Sequence, residues 1–167
     1  MTEPKYFPSQ SYPAEFWIKR AQWLAEQSVL IEQGGPFGAI ITRQGKFIAE
    51  ANNQVTQNHD PTAHAEIQAI RKACQKLQTH NLSGCEIYTS CEPCPMCLSA
   101  IYWAHLDHIY HANSRQIAAK YGFDDQYLYH QVCLPVDEQS IPNQPLSFPD
   151  SQQAFRYWQQ KLTKIPY

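Results

Sequence analysis

Two short segments constrain this chain more than anything else in it: Pro61-Thr62-Ala63-His64-Ala65-Glu66 and Cys91-Glu92-Pro93-Cys94-Pro95-Met96-Cys97. Each sits where a helix is expected to begin. Asp60 or Thr62 can cap the first helix with Pro61 in its opening turn, and Pro95 opens the second. Cys94 and Cys97 are three apart and share one helix face. A helix start favours the thiolate, the form that ligates metal, and at His64 it favours the neutral, ligating imidazole. A fold that brings both helix starts to one point gathers a histidine and two cysteines with one position left open, which is the pattern of a catalytic zinc.

Glu66 gives such a metal something to work with. In mid-helix, side chains two residues apart point roughly 200° apart. In the first turn of a helix aimed end-on at the metal, His64 and Glu66 still converge. Zinc lowers the pKa of bound water, and a nearby carboxylate must take the proton and hand it on. Two competing readings use the same cysteines. With Cys91 as fourth ligand the zinc would be purely structural, and Glu66 would have no task. An iron–sulfur run would need a cysteine at position 101, where the chain has Ile101. Cys91 is therefore expected to be a buried residue at a strand end. Cys74, Cys85 and Cys133 stand alone and are expected to be buried small hydrophobes. His59, His80, His105, His108, His111 and His130 have no ligand spacing around them.

Clustered cysteines favour metal over disulfides in a reducing compartment. The stretch Met1 to Gln10 is polar and unlike a signal peptide, and no apolar run approaches a membrane span, so a cytoplasmic protein is expected. A net charge of -2 argues against a broad nucleic-acid footprint. With 167 residues, 43% of them hydrophobic, the chain suits one domain over 1–167.

Periodicity predicts a helix over Ala14 to Ile31 with Trp17, Ala21, Leu24, Ser28 and Ile31 on one face, ended by Gly34-Gly35-Pro36. A hairpin follows: strands Phe37 to Thr42 and Lys46 to Ala51 around Arg43-Gln44-Gly45. The helix from about Asp60 to Leu77 is expected to turn Ile67, Ile70, Ala73 and Leu77 inward. Then come a strand at Glu86 to Ser90, a helix from Pro95 to Trp103, a strand at His108 to Ala112 and a helix from Ser114 to Lys120. Prolines between Pro135 and Pro149 interrupt regular structure. A last amphipathic helix, Ser151 to Leu162, is expected to dock through Ala154, Phe155, Trp158 and Leu162. Strands alternating with helices give an α/β layered domain.

His64-Ala65-Glu66 together with Pro93-Cys94-Pro95-Met96-Cys97 resembles the signature of the cytidine-deaminase-like zinc deaminases. Gly34-Gly35-Pro36-Phe37-Gly38-Ala39, Tyr88 to Cys97, Ala100-Ile101-Tyr102-Trp103-Ala104 and Gly122-Phe123-Asp124-Asp125 resemble bacterial guanine deaminases. The stretch Asp60 to Glu66 is shared with tRNA-adenosine deaminases. The resemblance runs from the first helix to Tyr167 and lapses at Pro142 to Pro149. It implies a three-layer α/β/α sandwich with a mixed sheet of about five strands. It also implies a homodimer and a C-terminal helix and tail, 150–167, that closes an active site. Zinc would be held by His64, Cys94 and Cys97, with Glu66 as proton shuttle. Phe37, Asn53 and Trp103 would surround the base, and Asp125 and Tyr167 would close over it. Flat rings at Phe37 and Trp103 suit a purine, Asn53 can donate and accept, and Asp125 can accept from guanine N–H groups. The implied reaction is hydrolysis of guanine to xanthine, with guanosine, then tRNA-adenosine and cytosine deamination as alternatives. Outside enzymes, the alternative is a non-catalytic zinc partner subunit, which would have no use for Glu66.

Overall fold

The strand Gly38–Arg43 (β1) is buried along nearly its whole length, because both faces of the sheet it belongs to are covered. The computed structural model describes residues 1–166. In it β1 pairs antiparallel with Lys46–Asn52 (β2) and with Cys85–Cys91 (β3), and β3 pairs parallel with His108–Asn113 (β4). The order is β2-β1-β3-β4, a mixed sheet of four strands among the described residues, where about five were expected. After β4 the chain turns to helix, and Pro135, Pro142, Pro145 and Pro149 lack the N–H a further ladder would need.

Helix Ala14–Leu30 (α1) covers one face of the sheet and buries Trp17, Ala21 and Leu24 against Ile40 and Tyr88. Helices Ala65–Leu77 (α3) and Pro95–Trp103 (α4) cover the other, over Ala39, Ile41 and Ile87. The result is the expected three layers. Period-two alternation explains how β3 serves both faces, with Ile87 on one side and Tyr88 on the other. Helix α1 lies so close to β1 that a Cβ at Gly38 would come within 2.4 Å of the Ala21 carbonyl. The expected α1 face also gains a buried charge: Arg20 binds Glu50 through two nitrogens at 2.7 and 2.9 Å and Glu3 at 2.8 Å. Ile31, expected on that face, is exposed.

Helix α3 departs from expectation twice. It begins at Ala65, because Asp60 Oδ1 accepts from the Thr62 N–H and hydroxyl and closes a turn ahead of the helix. Its inward stripe is Ala65, Ala69 and Ala73, with Ile70 and Leu77 only packed at the edge. Small side chains let the helix sit tight on the sheet, and the larger apolar ones flank the contact.

Two helices have no counterpart in the sequence reading: Val55–Asn58 (α2) and Gln126–Cys133 (α6). Arg115–Lys120 (α5) follows β4 as expected. Past α6, one 3-10 turn at Val136–Glu138 is the regular structure found before residue 150. The last helix is Gln153–Gln160 (α7), shorter than expected and with no buried residue. Phe155, Trp158 and Leu162, expected to dock, are exposed among the described residues. Cys85 is buried and Cys74 half-buried, but Cys133 is exposed, against expectation. No described helix is long and apolar enough to cross a membrane.

Candidate metal centre and active site

Two of the three candidate ligands stand immediately before a helix, and the third, Cys97, lies in the first turn of α4. His64 is the N-cap of α3 and Cys94 the N-cap of α4, both with extended backbone. An N-cap side chain is off the helical grid, so His64 and Glu66 point to one place although they are two residues apart. Leu98 N–H closes on the Cys94 carbonyl at 2.8 Å and Gln68 N–H on the His64 carbonyl at 3.0 Å, which fixes both first turns. Pro95 at the first helical position costs no hydrogen bond there.

His64 Nδ1 stands 3.4 Å from Cys97 Sγ and 3.6 Å from Cys94 Sγ, and the three ligand atoms all lie within 4.8 Å of one another. Tetrahedral zinc, with bonds of about 2.0–2.1 Å to nitrogen and about 2.3 Å to sulfur, needs its nitrogen and sulfur ligands about 3.5–3.6 Å apart. The side chains therefore fit zinc as they stand. Cys91 is buried at the end of β3, and its Sγ faces the Ser114 carbonyl at 3.7 Å, which takes it out of the ligand set. Burial, and next the charge of Glu66, push its thiol up to about 11, so it stays protonated near neutrality.

Hydrogen bonding from Cys97 holds Cys94 down at about 4, with His64 adding to the effect against burial. Cys97 is fully buried, and its pKa is driven up by the same hydrogen bond and by desolvation. Cys94 and Cys97 are thus joined by a hydrogen bond, whose proton a divalent cation bound by both sulfurs would displace. The Cys94 hydrogen bond raises the His64 pKa. Glu66 is buried, and desolvation raises its pKa, reinforced by the Cys94 charge. A carboxyl held in that state is suited to passing protons.

A cleft of about 370 Å³ opens beside these groups. Phe37, Asn53, His64, Glu66, Cys94 and Asp125 all line it. Phe37 packs edge-on against Phe123 with ring centroids 5.0 Å apart. Asn53 is buried, and its Oδ1 accepts from Gly35 N–H at 3.2 Å and Val55 N–H at 3.1 Å. Sequence alone left Asn53 free to donate or accept. With Oδ1 committed twice, what it offers the cleft is its Nδ2 donor. Asp124 Oδ1 accepts from Gln126 N–H at 2.9 Å, while Asp125 lines the cleft beside Glu66 and Glu92. Desolvation raises the Asp125 pKa, and the Arg115 charge opposes it.

Trp103 is not brought to the cleft. It is exposed in the last turn of α4 and faces the groove between α3 and α4 with Ile67 and Ile70. Six residues past Cys97, it lies about 9 Å along the helix and roughly 240° round it. Tyr167 lies outside the described residues. Sequence reasoning missed Glu92 and Arg115, which also line the cleft. Glu92 sits inside the cysteine motif, and its Oε2 accepts from Arg115 N–H at 3.1 Å. That position was a signal the spacing argument did not use.

A family model described as the cytidine and deoxycytidylate deaminase zinc-binding region matches residues 12–113. Guanine deaminase of Bacillus subtilis (strain 168) is 45% identical over 153 residues, which are 92% of this chain and 98% of that protein. The X-ray structure of guanine deaminase from Bacillus subtilis superposes with a TM-score of 0.90 at 44% identity, covering 93% of this chain and 99% of the other. The tRNA-specific adenosine deaminase of Aquifex aeolicus (strain VF5) is 43% identical over 57% of this chain and 62% of its own length. A zinc-compatible triad, a buried carboxyl beside it and a match across the whole sheet agree, and this chain belongs to the zinc-binding cytidine and deoxycytidylate deaminase family.

Proposed function

We propose that this chain hydrolyses free guanine to xanthine and ammonia, with zinc held by His64, Cys94 and Cys97. The observation that carries the reading is the far wall of the cleft, Phe123 to Asp125. It lies beyond residue 113, where the family model ends, and within a likeness to guanine deaminase that spans 92% of the chain.

When bound, zinc supplies a Lewis acid that makes water nucleophilic near neutral pH. Glu66 takes the proton that water gives up as its oxygen adds to C2 of the base. Glu66 then delivers a proton to the adjoining ring nitrogen and assists departure of the amino group as ammonia. Asn53 donates from Nδ2 to an acceptor on the purine, and Asp125 accepts from its N–H groups. Phe37, braced by Phe123, gives the ring a flat apolar wall. Those directions select a base with acceptors and donors on separate edges, as guanine has.

The protein works in the cytoplasm as a homodimer on a small-molecule base, with no nucleic acid required. Helix α7 supports the dimer, because Phe155 and Tyr157 are exposed on it and a second copy would cover them. The tail, 150–167, then closes an active site, with Tyr167 at the substrate and Trp103 contributed across the interface.

Ammonia release from guanine, guanosine, cytosine, adenine and a tRNA anticodon stem, measured side by side on zinc-loaded protein, tests the substrate. Guanine is expected to exceed all the others. Efficient turnover of the tRNA adenosine with guanine inert would overturn the proposal.

A further inference from the structure

Helix α6 carries Asp125 at its N-cap yet buries none of its own residues. Tyr127, Leu128 and Val132 are exposed. Hydrophobic burial therefore does little to fix α6 against the rest of the fold. Tyr127 meets Ser140, and Gln131 accepts from Ser140 N–H at 2.8 Å, which ties α6 to the segment that follows it.

Tyr129 runs the other way. Its hydroxyl donates to the Pro93 carbonyl at 2.9 Å, one residue before the ligand Cys94. The Arg115 guanidinium lies 4.2 Å from the centre of the Tyr129 ring, while the Arg115 backbone N–H holds Glu92 at 3.1 Å. Tyr129 N–H closes on the Asp125 carbonyl at 3.1 Å, so the two residues share one helical turn. Displacing Tyr129 moves Asp125 with it.

We infer that Tyr129 is a positioning residue: its hydroxyl on the Pro93 carbonyl, with the ring under the Arg115 guanidinium, ties α6 to the ligand-bearing loop and sets where Asp125 stands in the cleft. The inference rests on the guanine reading for its kinetic consequence and not for its structural one. A cation over an aromatic face and a hydrogen bond to a main-chain oxygen each contribute modestly, but on a helix without buried side chains they decide its place.

The test is Tyr129→Phe, which keeps the ring and its contact with Arg115. Zinc content and thermal unfolding should match the parent. Amide hydrogen exchange across α6 should quicken several-fold, a readout that needs no substrate. With guanine, kcat/KM should fall roughly tenfold, mainly through KM. In an Asp125→Asn background the same substitution should cost less than about twofold, because the two act through one contact. Unchanged exchange in α6 overturns the inference, and so does an equal loss in both backgrounds. A zinc-loaded parent inert toward guanine overturns the substrate reading instead, while the exchange result still decides the tether.

Discussion

Asn53 fills the space that a side chain at position 34 would need: a Cβ on Gly34 would lie 2.4 Å from Asn53 Oδ1 and 2.6 Å from the Asn53 backbone oxygen. The second of those atoms belongs to the main chain and cannot rotate away. Ser28 holds the same backbone oxygen through its hydroxyl at 3.1 Å. Gly34→Ala should therefore push Asn53 out of place, at a cost of about 1–3 kcal/mol in stability. Denaturant unfolding with guanine kinetics checks it: the expected result is a lower midpoint, at least roughly tenfold lower kcat/KM and full zinc content.

Asn53→Asp separates the two ends of that amide. The remaining oxygens can still accept from Gly35 and Val55 N–H, so the loop should hold its shape. The Nδ2 donor is gone, and an acceptor faces the acceptor of the base. We expect roughly 10²-fold lower kcat/KM for guanine with unfolding near that of the parent. Parent-like kinetics would remove Asn53 from base recognition.

Much of this was legible in the residues. His64, Glu66, Cys94 and Cys97 stand out because their chemistry needs fixed types at fixed spacing, and Pro95 marks the start of α4, whereas Asp60 and Thr62 signalled a turn ahead of α3 and not its cap. The hairpin was read from the residues, but not the order β2-β1-β3-β4, which two β-α-β crossovers complete, β2 to β3 through α3 and β3 to β4 through α4. What spacing could not give was the alanine stripe of α3, since the isoleucines at 67 and 70 are the stronger apolar signal and yet flank the contact. Helix α6 was invisible because it is eight residues long and its apolar residues, Tyr127, Leu128, Tyr129, Val132 and Cys133, spread round it instead of forming one stripe. Trp103 was expected at the base only through resemblance, and one chain's geometry sets it round the helix from Cys97. The commitment of Asn53 Oδ1 depends on two backbone N–H groups that no pattern places.

Glu66→Gln tests the proton path. The amide keeps the shape and can still hydrogen-bond, but it cannot carry a proton. Turnover of guanine should fall by roughly 10²–10⁴ or more, with metal content unchanged. Near-normal turnover would take Glu66 out of the chemistry.

The ligand set is checked by metal analysis of two single variants. Cys94→Ser should lose zinc, because Cys94 lies 3.6 Å from His64 Nδ1 within the triad. Cys91→Ser should keep zinc, because the Cys91 sulfur faces the Ser114 carbonyl. The reverse pattern would mean a different site.

The end of the chain supplies the last test. Terminal residues fray unless something ties them down. Helix α7 ends in the described structure with Phe155 75% and Tyr157 65% exposed, which is costly for a chain that stays alone in water. A second copy that covers those rings would also deliver the residues after them to a cleft. Bringing an aromatic residue over the zinc cleft would exclude water and strengthen the electrostatics inside. Deletion of Ile165 to Tyr167 removes that cover and leaves α7 itself in place. The core clusters involve none of these residues, so thermal unfolding and zinc content should hold. Guanine kcat/KM should fall at least roughly tenfold, the effect of losing a closing segment rather than the chemistry. Sedimentation of the deletion variant should still report a dimer, since α7 is intact. Unchanged kinetics would confine the working site to the residues between Phe37 and Asp125, and a monomer with full activity would remove the partner subunit from the site altogether.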